Sequence, residues 1–354
     1  MIKSIFYIYN IFLSNNIKLN KKMASLNPFN LKKKLNLSKI FLYILTFSII
    51  IIFLFIVIKM WKNKKELNEN FDATNNTNNT NNTNNTNNTN NTKKKIAFCF
   101  LTIDNLNQPI MWNEFFKGNE DRYSIYLHPK HPDRVDEPYK KYVIQNLIET
   151  RWGDTSLVQA TLNLFKNAYN NENNKICVLV SDSCIPLYNF DYIYNKLINE
   201  HNCSNILSLK YSPESEMKKR YNALKNNNTD FFTFQQFKKC SQWCAINRET
   251  VKFLLENNYL HYYKGMFASD EHYFINLFDK FKIHYETFNI TFDNWTQLTN
   301  WKDPEKTKKY KRLPRTYEDV NENEIKEARN TKALFFRKVV PETSINIIKI
   351  LSNN

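Results

Sequence analysis

Short runs of apolar residues recur along the chain from residue 95 onwards, each of the length expected for a buried strand. Between them lie stretches whose apolar residues recur at helical spacing. The predicted strands are Ile96–Leu101, Tyr123–His128, Ile176–Val180, Ile206–Leu209, Trp243–Ile246 and Ala333–Phe336. The predicted helices are Trp112–Phe116, Ser156–Phe165 (capped by Asp154 or Thr155) and Glu322–Arg329. Strands that alternate with helices predict an α/β fold, in which helices flank a mostly parallel sheet.

Polar residues follow two of the predicted strands. His128 ends the second strand, and Ser181-Asp182-Ser183 follows the third. In open α/β sheets ligands bind at the carboxyl ends of the strands. The sequence therefore predicts that these residues line a ligand site.

An acidic pair precedes another apolar run at helical spacing, in Phe267–Phe278. Ser269 or Asp270 is predicted as the helix N-cap, because a short polar side chain can accept from the first unpaired N–H groups. Glu271 would then lie in the first turn, where the helix dipole favours an anion. A carboxylate held there beside a pocket could act as a general base. On these residues alone, an ordinary acidic helix start is the favoured interpretation.

An uncharged apolar run, Ile40–Ile58, is long enough to span a bilayer as a helix of ~20 residues. Lysines are denser on its N-terminal side, which predicts that the N-terminus is cytoplasmic. Six copies of Asn-Asn-Thr follow, and such a polar tract has no apolar surface to bury. We expect a single-pass type II protein with its folded part in the lumen of a Golgi-like, ER-like or host secretory compartment. The predicted boundaries are a basic tail (1–39), a transmembrane helix (40–60), a disordered stem (61–94), a folded domain (95–345) and a tail (346–354).

Composition narrows the possible functions. The chain has only three glycines in 354 residues, so its sequence contains neither a Gly-rich dinucleotide-binding motif nor a P-loop motif. The net charge of +16 invites a nucleic-acid or anionic-lipid partner, but the lysines are scattered and many flank the apolar run. We therefore expect no nucleic-acid partner. All six cysteines follow the apolar run, which is compatible with up to three disulfides in an oxidising compartment.

Several segments, taken in order and spacing, resemble the core-2/I-branching family of glycosyltransferases (glycosyltransferase family 14), which includes xylosyltransferase-like relatives. The resemblance runs from about Lys95 to Val340. It implies a type II membrane enzyme with a GT-A-type glycosyltransferase fold. The segments that carry it are Ile96–Thr102, Phe115–Gly118, Tyr123–Pro129, Arg151–Ala160, Ser181–Leu187, Lys219–Asn222, Ser241–Trp243, Asp270–Tyr273 and Phe335–Lys338.

The resemblance implies an inverting reaction that uses no metal. Glu271 matches the family's catalytic base. Asp182 stands alone where many GT-A enzymes carry two carboxylates, and one carboxylate is a poor site for a divalent cation. Lys338 matches a family lysine that binds the donor's diphosphate. Arg315 is the best match by spacing to its arginine partner, with Arg312 in reserve.

The remaining expectations also come from the resemblance. A UDP-sugar is the implied donor, with N-acetylglucosamine as its sugar and xylose or glucuronic acid as alternatives. Ser181, Asp182, Trp152 and His128 are expected to contribute to donor binding, and Trp295 to the site of a glycan or glycoprotein acceptor. No cofactor is implied beyond the donor substrate. The rival hypothesis is a catalytically inactive, sugar-binding homologue on the same fold.

Overall fold

The computed structural model describes residues 93–226, 231–295 and 314–352, without the side chains of residues 347 and 348. The predicted cytoplasmic tail, the membrane helix and nearly all of the stem lie outside the described residues, as does Arg312. Within the described ranges, no helix combines the length and apolar character needed to cross a bilayer.

A six-stranded sheet forms the centre of the folded part, in the spatial order β2-β1-β3-β6-β5-β7. Strand β1 pairs in parallel with β2 and β3, and β5 pairs in parallel with β7. Strand β6 is antiparallel to both of its neighbours. The strands of this sheet are β1 (Lys95–Thr102), β2 (Tyr123–Pro129), β3 (Asn174–Ser181), β5 (Ile206–Leu209), β6 (Cys240–Asn247) and β7 (Glu286–Thr287).

This topology brings several chain segments to one edge of the sheet. The carboxyl ends of β1, β2, β3 and β5 lie there because these strands run in one direction, whereas β6 runs the other way and contributes its amino end. Asp182 and Lys210 follow strands at this edge, and Lys239 precedes one. We refer to it as the site edge.

The remaining strands form two smaller sheets. One has the order β4-β10-β8, with Arg337 opposite Cys184 on one side and Asp293 on the other. The other is the pair β9 and β11. Their strands are β4 (Cys184–Pro186), β8 (Thr291–Asp293), β9 (Tyr317–Asp319), β10 (Phe335–Arg337) and β11 (Val339–Ser344).

Helices of ordinary length alternate with the strands, as the apolar periodicity predicts. They are α1 (Pro109–Phe116), α2 (Ser156–Tyr169), α3 (Phe190–Tyr194), continued by a π-helical turn (Asn195–Glu200), α4 (Glu214–Lys225), α5 (Arg248–Glu256), α6 (Tyr273–Phe281), α7 (Glu322–Asn330) and α8 (Ile347–Ser352). Short 3-10 turns lie at Pro132–Arg134, Lys140–Tyr142, Phe234–Gln236, Leu260–Tyr263 and Ser269–Glu271.

Aromatic rings join helix α1 to the central sheet. Phe98 of β1 packs edge-on against Trp112, Phe115 and Phe116, with ring centroids 5.0–6.3 Å apart. All four side chains are buried. Edge-to-face pairs of this kind stabilise a core beyond the area that they bury. This packing fixes the loop between β1 and α1, which lies at the site edge.

The predicted strands and the three predicted helices are confirmed, apart from end residues. Both predicted cap residues take part at the start of α2. Thr155 occupies the N-cap position, but its hydroxyl donates to the carbonyl of Tyr263. The Asp154 carboxylate accepts from the N–H of Ser156 at 2.8 Å. The six cysteines are free thiols in this structure, five of them buried. The disulfides that the even number of cysteines would permit are therefore not formed in this structure.

The predicted start of the helix after Phe267 is wrong. Ser269 and Asp270 do not cap it; they form a 3-10 turn with Glu271, and α6 begins only at Tyr273. Both residues are buried, and the Ser269 hydroxyl and Asp270 Oδ1 have no hydrogen-bond partner among the described residues. Ala268 causes the offset, since its left-handed conformation (φ +53°) turns the chain before the helix starts.

Candidate active site

Arg220 is the centre of a charged cluster at the site edge. Its Nη1 donates to Glu271 Oε2 at 2.5 Å and to His272 Nε2 at 3.1 Å, and its Nη2 contacts Glu216 one turn earlier in α4. The Arg220 side chain is only 6% exposed, while that of Glu271 is 22% exposed. We call Arg220, Lys239, Glu271 and His272 the base cluster.

The histidine of the base cluster has a defined tautomer. Its Nδ1 lies 2.7 Å from the carbonyl oxygen of Lys238, which can only accept, so Nδ1 carries the proton and Nε2 accepts from Arg220. Burial lowers the pKa of His272 to about 3, and the nearby Arg220 contributes in the same direction. The imidazole is therefore neutral and acts as a fixed acceptor for the guanidinium.

Lys239 supplies a second cation to the same carboxylate oxygen. Its Nζ lies 3.2 Å from Glu271 Oε2 and donates to the hydroxyl of Ser212 at 3.0 Å. The Lys239 carbonyl accepts from the N–H of Lys210, which ties this lysine to strand β5. Both cations bind Oε2, and Oε1 takes part in none of these contacts.

Asp270 lies beside Glu271 but faces the protein interior. The residue is 7% exposed, and its Oδ1 has no hydrogen-bond partner among the described residues. Burial and, to a smaller extent, the charge of Glu271 raise the pKa of this carboxyl to about 7, although the charge of Arg220 opposes them. The two carboxyls of the acidic pair thus have opposite environments.

Two exposed aromatic rings border the base cluster. Trp152 is 71% exposed and Phe267 is 50% exposed, and their ring centroids lie 5.3 Å apart in an edge-on arrangement. The guanidinium of Arg220 lies over the Phe267 ring, 5.6 Å from its centroid. The N–H of Ala268 donates to the carbonyl of Gly153 at 2.8 Å, so the segments that carry the two rings are bonded to each other.

A second cluster lies where β3 ends and β11 begins. Asp182 Oδ2 accepts from the N–H of Ile103 at 2.9 Å, and the N–H of Val339 donates to the carbonyl of Ser183 at 3.0 Å. Burial lowers the pKa of Lys338, and Arg337 lowers it further, whereas Asp182 opposes both. Lys338 forms no ion pair within the ranges that the structure describes. We call Asp182, Arg315, Arg337 and Lys338 the cation cluster.

Arg315 and Lys338 come from paired segments. The N–H of Tyr317 donates to the Lys338 carbonyl at 2.7 Å, and the Arg315 guanidinium stacks 4.3 Å from the centroid of the Tyr317 ring. Arg315 also forms an ion pair with Glu324 at 2.9 Å. The structure therefore pairs the segments that carry Arg315 and Lys338, and Glu324 neutralises the charge of Arg315.

The loop between β1 and α1 holds the cation cluster in place. Asn107 bonds both sides of it, because its backbone N–H donates to the Asp182 carbonyl at 3.0 Å and its side chain donates to the Val339 carbonyl at 2.7 Å. The neighbouring Gln108 amide lies within 3.0–3.2 Å of the carbonyls of Val340, Pro341 and Thr343. Two side chains thus anchor the segment that carries Lys338.

The other predicted donor residues occupy interior positions. His128 is fully buried, and its Nε2 accepts from the N–H of Ile148 at 2.9 Å. The Ser181 hydroxyl lies 3.0 Å from that of Ser183 and 3.2 Å from the Cys184 sulfur. Both side chains therefore hold the ends of strands in place. Burial lowers the pKa of His128, so its imidazole is neutral.

Trp295, the predicted acceptor residue, is 47% exposed. Its indole N–H donates to Asp293 Oδ2 at 3.0 Å, and the other oxygen of Asp293 binds Lys210 Nζ at 2.7 Å. Lys210 is bonded through its backbone to Lys239 of the base cluster. Asp293 also lies opposite Arg337, whose guanidinium is 4.5 Å from the centroid of Trp243. Trp295 thus lies between the two clusters along the site edge.

Sequence reasoning gave no role to Arg220, Lys239, Asn107 or Phe267. Arg220 has a sequence signal, since Glu216 precedes it by four residues on one helix face. Lys239 stands directly before a buried strand, which places it at a strand end. For Asn107 and Phe267 we find no signal, because their contacts join residues far apart in the chain.

The fold and the site define an α/β protein whose polar side chains meet at the carboxyl edge of its sheet, where such folds bind ligands. A family model described as "Core-2/I-Branching enzyme" matches residues 96–329. The chain belongs to the Core-2/I-Branching enzyme family.

A curated relative is similar to part of the chain. The protein named Glycosyltransferase BC10 from Oryza sativa subsp. japonica is 29% identical over 171 residues, which are 46% of this chain and 41% of that protein. The alignment thus spans less than half of the relative's length. The chain is also similar to a solved structure, the apo form of the WbbM bifunctional glycosyltransferase. The match covers 71% of this chain and 46% of that chain, at 11% identity and a TM-score of 0.36.

Proposed function

We propose that this protein is an inverting, metal-independent glycosyltransferase. It transfers a sugar, N-acetylglucosamine in the first instance, from a UDP-sugar to a hydroxyl group of a glycan or glycoprotein. Membership of the Core-2/I-Branching enzyme family and the similarity to a protein named as a glycosyltransferase support the class of reaction.

The observation that carries the proposal is the environment of Glu271. Arg220 and Lys239 hold one oxygen of a partly exposed carboxylate at the site edge. The other oxygen can then take the proton of an acceptor hydroxyl. As the proton moves to Glu271, the acceptor oxygen forms a bond to the anomeric carbon. The bond from that carbon to the diphosphate breaks, and its electron pair leaves with UDP. General-base assistance of this kind contributes roughly 10²–10⁴-fold.

The cation cluster supports the stabilisation of the leaving group. Lys338 has no ion-pair partner in the described residues, so its ammonium can pair with a phosphate oxygen, and Arg315 can add a second contact if it exchanges Glu324 for the ligand. Asp182 has one oxygen bound by a backbone N–H and a lysine close by. A single carboxylate in that setting offers few ligands to a divalent cation, which favours catalysis by fixed cations.

The other predicted donor residues take supporting roles in this proposal. His128 and Ser181 hold the strand ends that would face the nucleotide. Trp295 remains our proposed contact for the acceptor, because it is half exposed and lies between the two clusters.

The decisive experiment uses the full-length chain in detergent with a panel of UDP-sugars, with and without EDTA, beside Glu271→Gln. We expect turnover of one donor that survives EDTA and falls by roughly 10²–10⁴-fold in the variant. Activity abolished by EDTA and restored by a divalent metal would refute metal independence. Tight UDP binding without turnover of any donor, across a broad acceptor panel, would favour the inactive homologue. Inversion is checked by NMR from the anomeric configuration of the product.

We also propose that the folded part lies in a secretory lumen. The apolar run with its lysines and the Asn-x-Thr repeats of the stem support this placement. In cells that glycosylate asparagine, the full-length protein should shift to lower mass on treatment with an N-glycosidase. A protein without such a shift, and with its folded part open to protease in intact microsomes, would contradict the placement.

A further inference from the structure

An exposed pair of aromatic rings, Trp152 and Phe267, lies beside the proposed catalytic base. Single exposed hydrophobic side chains are normal on soluble proteins, but contiguous exposed apolar patches often mark binding sites. Phe267 precedes Glu271 by four residues, and its ring lies under the guanidinium that holds the Glu271 carboxylate. Any molecule that covers these rings would therefore lie next to that carboxylate.

The rings belong to a built surface. Gly153 has φ +73°, and a β-carbon at that position would lie 2.5 Å from Cε2 of Phe267, so the ring packs directly on the glycine backbone. The Ala268 N–H bonds to the Gly153 carbonyl, and Ala268 itself adopts a left-handed conformation. Left-handed conformations at non-glycine residues persist where the surroundings enforce them and are concentrated at functional sites. The segments that carry the two rings are thus bonded to each other, and the Phe267 ring is held against Gly153.

We infer that Trp152 and Phe267 form a stacking subsite for a pyranose ring of the acceptor. This inference rests on the proposed function, since only an acceptor must bring a hydroxyl group to Glu271. The axial C–H groups of a pyranose carry partial positive charge, and the face of an aromatic ring is negative. A sugar stacked on the pair would present the hydroxyl groups of its rim to the base cluster. Trp152 thereby serves the acceptor, whereas the family resemblance alone suggested the donor.

The alternative roles make different kinetic predictions. The full-length chain is compared with Trp152→Ala, Phe267→Ala and the ring-preserving Trp152→Phe, with methyl pyranosides as acceptors. We expect each alanine variant to raise the acceptor KM roughly tenfold, which is the effect of losing one stacking contact, while the UDP-sugar KM stays unchanged. Trp152→Phe should recover most of the affinity. Ile110→Ala is the matched control, because Ile110 is also exposed (68%) but lies on α1, away from the pair.

A binding measurement keeps the inference testable if turnover fails. Saturation-transfer NMR of the methyl glycosides of galactose, N-acetylgalactosamine and xylose should show the strongest transfer to the axial protons of one ring face. That transfer should be lost in Trp152→Ala and retained in Ile110→Ala. Binding without turnover would defeat the proposed function and leave the subsite intact. A rise in the UDP-sugar KM alone, or no bound glycoside in the unsubstituted protein, would overturn the subsite.

Discussion

The two clusters of the site are held in place by different kinds of bond. In the base cluster, a charged side chain makes the bonds. The Arg220 guanidinium forms ion pairs with Glu271 and Glu216 and a hydrogen bond with the neutral His272. In the cation cluster, uncharged side chains hold the backbone: Asn107 and Gln108 bond the carbonyls that follow Lys338 and leave its ammonium without an ion pair in the described residues. The proposed base needs a fixed orientation, whereas the lysine proposed to bind phosphate needs an ammonium that no carboxylate neutralises. The comparison shows that the bonds in each cluster suit its proposed role: they orient Glu271 in one and leave the Lys338 ammonium open to a ligand in the other.

The largest expected effect is a pH-dependent change in the stability of the protein that arises from Asp270. The folded-state pKa of Asp270 is about 7, above its ordinary value of 3.8, so the folded state holds this proton more tightly. Its contribution to stability is therefore complete below pH ~4 and is lost as the pH rises to ~7, a difference of up to ~4 kcal/mol. Asp270→Asn should remove this loss. The check is chemical denaturation of both proteins between pH 4 and 8.

His272 supplies the opposite trend in the same experiment. Its folded-state pKa of about 3 lies below the ordinary 6.5, so its contribution is present above pH ~6.5 and is lost as the pH falls. Both proteins share this trend, which cancels in the difference between them. The exposed Asp133→Asn serves as the control. A difference in stability that does not grow from pH 4 to 7 would show that Asp270 is ionised in the folded state.

The next effect tests the cation cluster. Lys338→Met removes the ammonium proposed to bind the leaving diphosphate, and we expect kcat/KM to fall roughly 10²–10³-fold. The acceptor KM should stay the same, because the base cluster is untouched. Steady-state kinetics with both substrates varied gives the answer. Lys349→Met, which removes a lysine from a surface ion pair with Glu322, is the control. A variant as active as the original protein would remove Lys338 from the proposed mechanism.

A smaller effect on stability tests the contact between the exposed rings and the glycine beneath them. Gly153→Ala places a methyl group against Phe267 and forces a non-glycine residue into a positive φ, so it should cost more than the ~1–2 kcal/mol of the backbone conformation alone. Gly118 has a similar φ of +75° with nothing within 4 Å of the added carbon. Gly118→Ala should therefore show the backbone cost only.

A double substitution separates the two parts of that cost. Combining Gly153→Ala with Phe267→Ala should reduce the extra cost of Gly153→Ala to the level of Gly118→Ala. Denaturation midpoints of the four proteins complete the cycle. Equal costs for the two glycine substitutions in the original background would mean that the Phe267 ring moves aside freely, which would also weaken the case for a fixed stacking subsite.

The smallest effect concerns the backbone clamp. Gln108→Met keeps the length of the side chain but removes the donors that lie near three carbonyls, and we expect a loss of ~1–3 kcal/mol in stability. The donor KM should rise as the Lys338 segment loosens, and the acceptor KM should not. The exposed Gln145→Met is the control. A variant with lower stability and unchanged donor KM would show that the clamp stabilises the fold without positioning Lys338.

Much of the architecture could be predicted from local pattern alone. Runs such as Ile176–Val180 became strands because residues buried on both faces of a sheet must be continuously apolar. The position of Asp182 at a strand end followed from the same pattern. The start of α6 could not be predicted, because Ser269 and Asp270 have the right chemistry for a cap and are nevertheless buried by the turn at Ala268. Tertiary packing overrode the local preference.

The sequence by itself determined the alternation of strands and helices, the acidic pair at 270–271 and the family to which the chain belongs, because these depend on residues that are neighbours in the chain or keep a fixed order. Only the tertiary structure decided which residues hold Glu271 and which hold Lys338. Arg220 reaches Glu271 across 51 residues, and Asn107 reaches Val339 across 232. Contacts between residues so far apart in the chain depend on the order of the strands in the sheet. That order cannot be predicted from the local pattern of apolar residues.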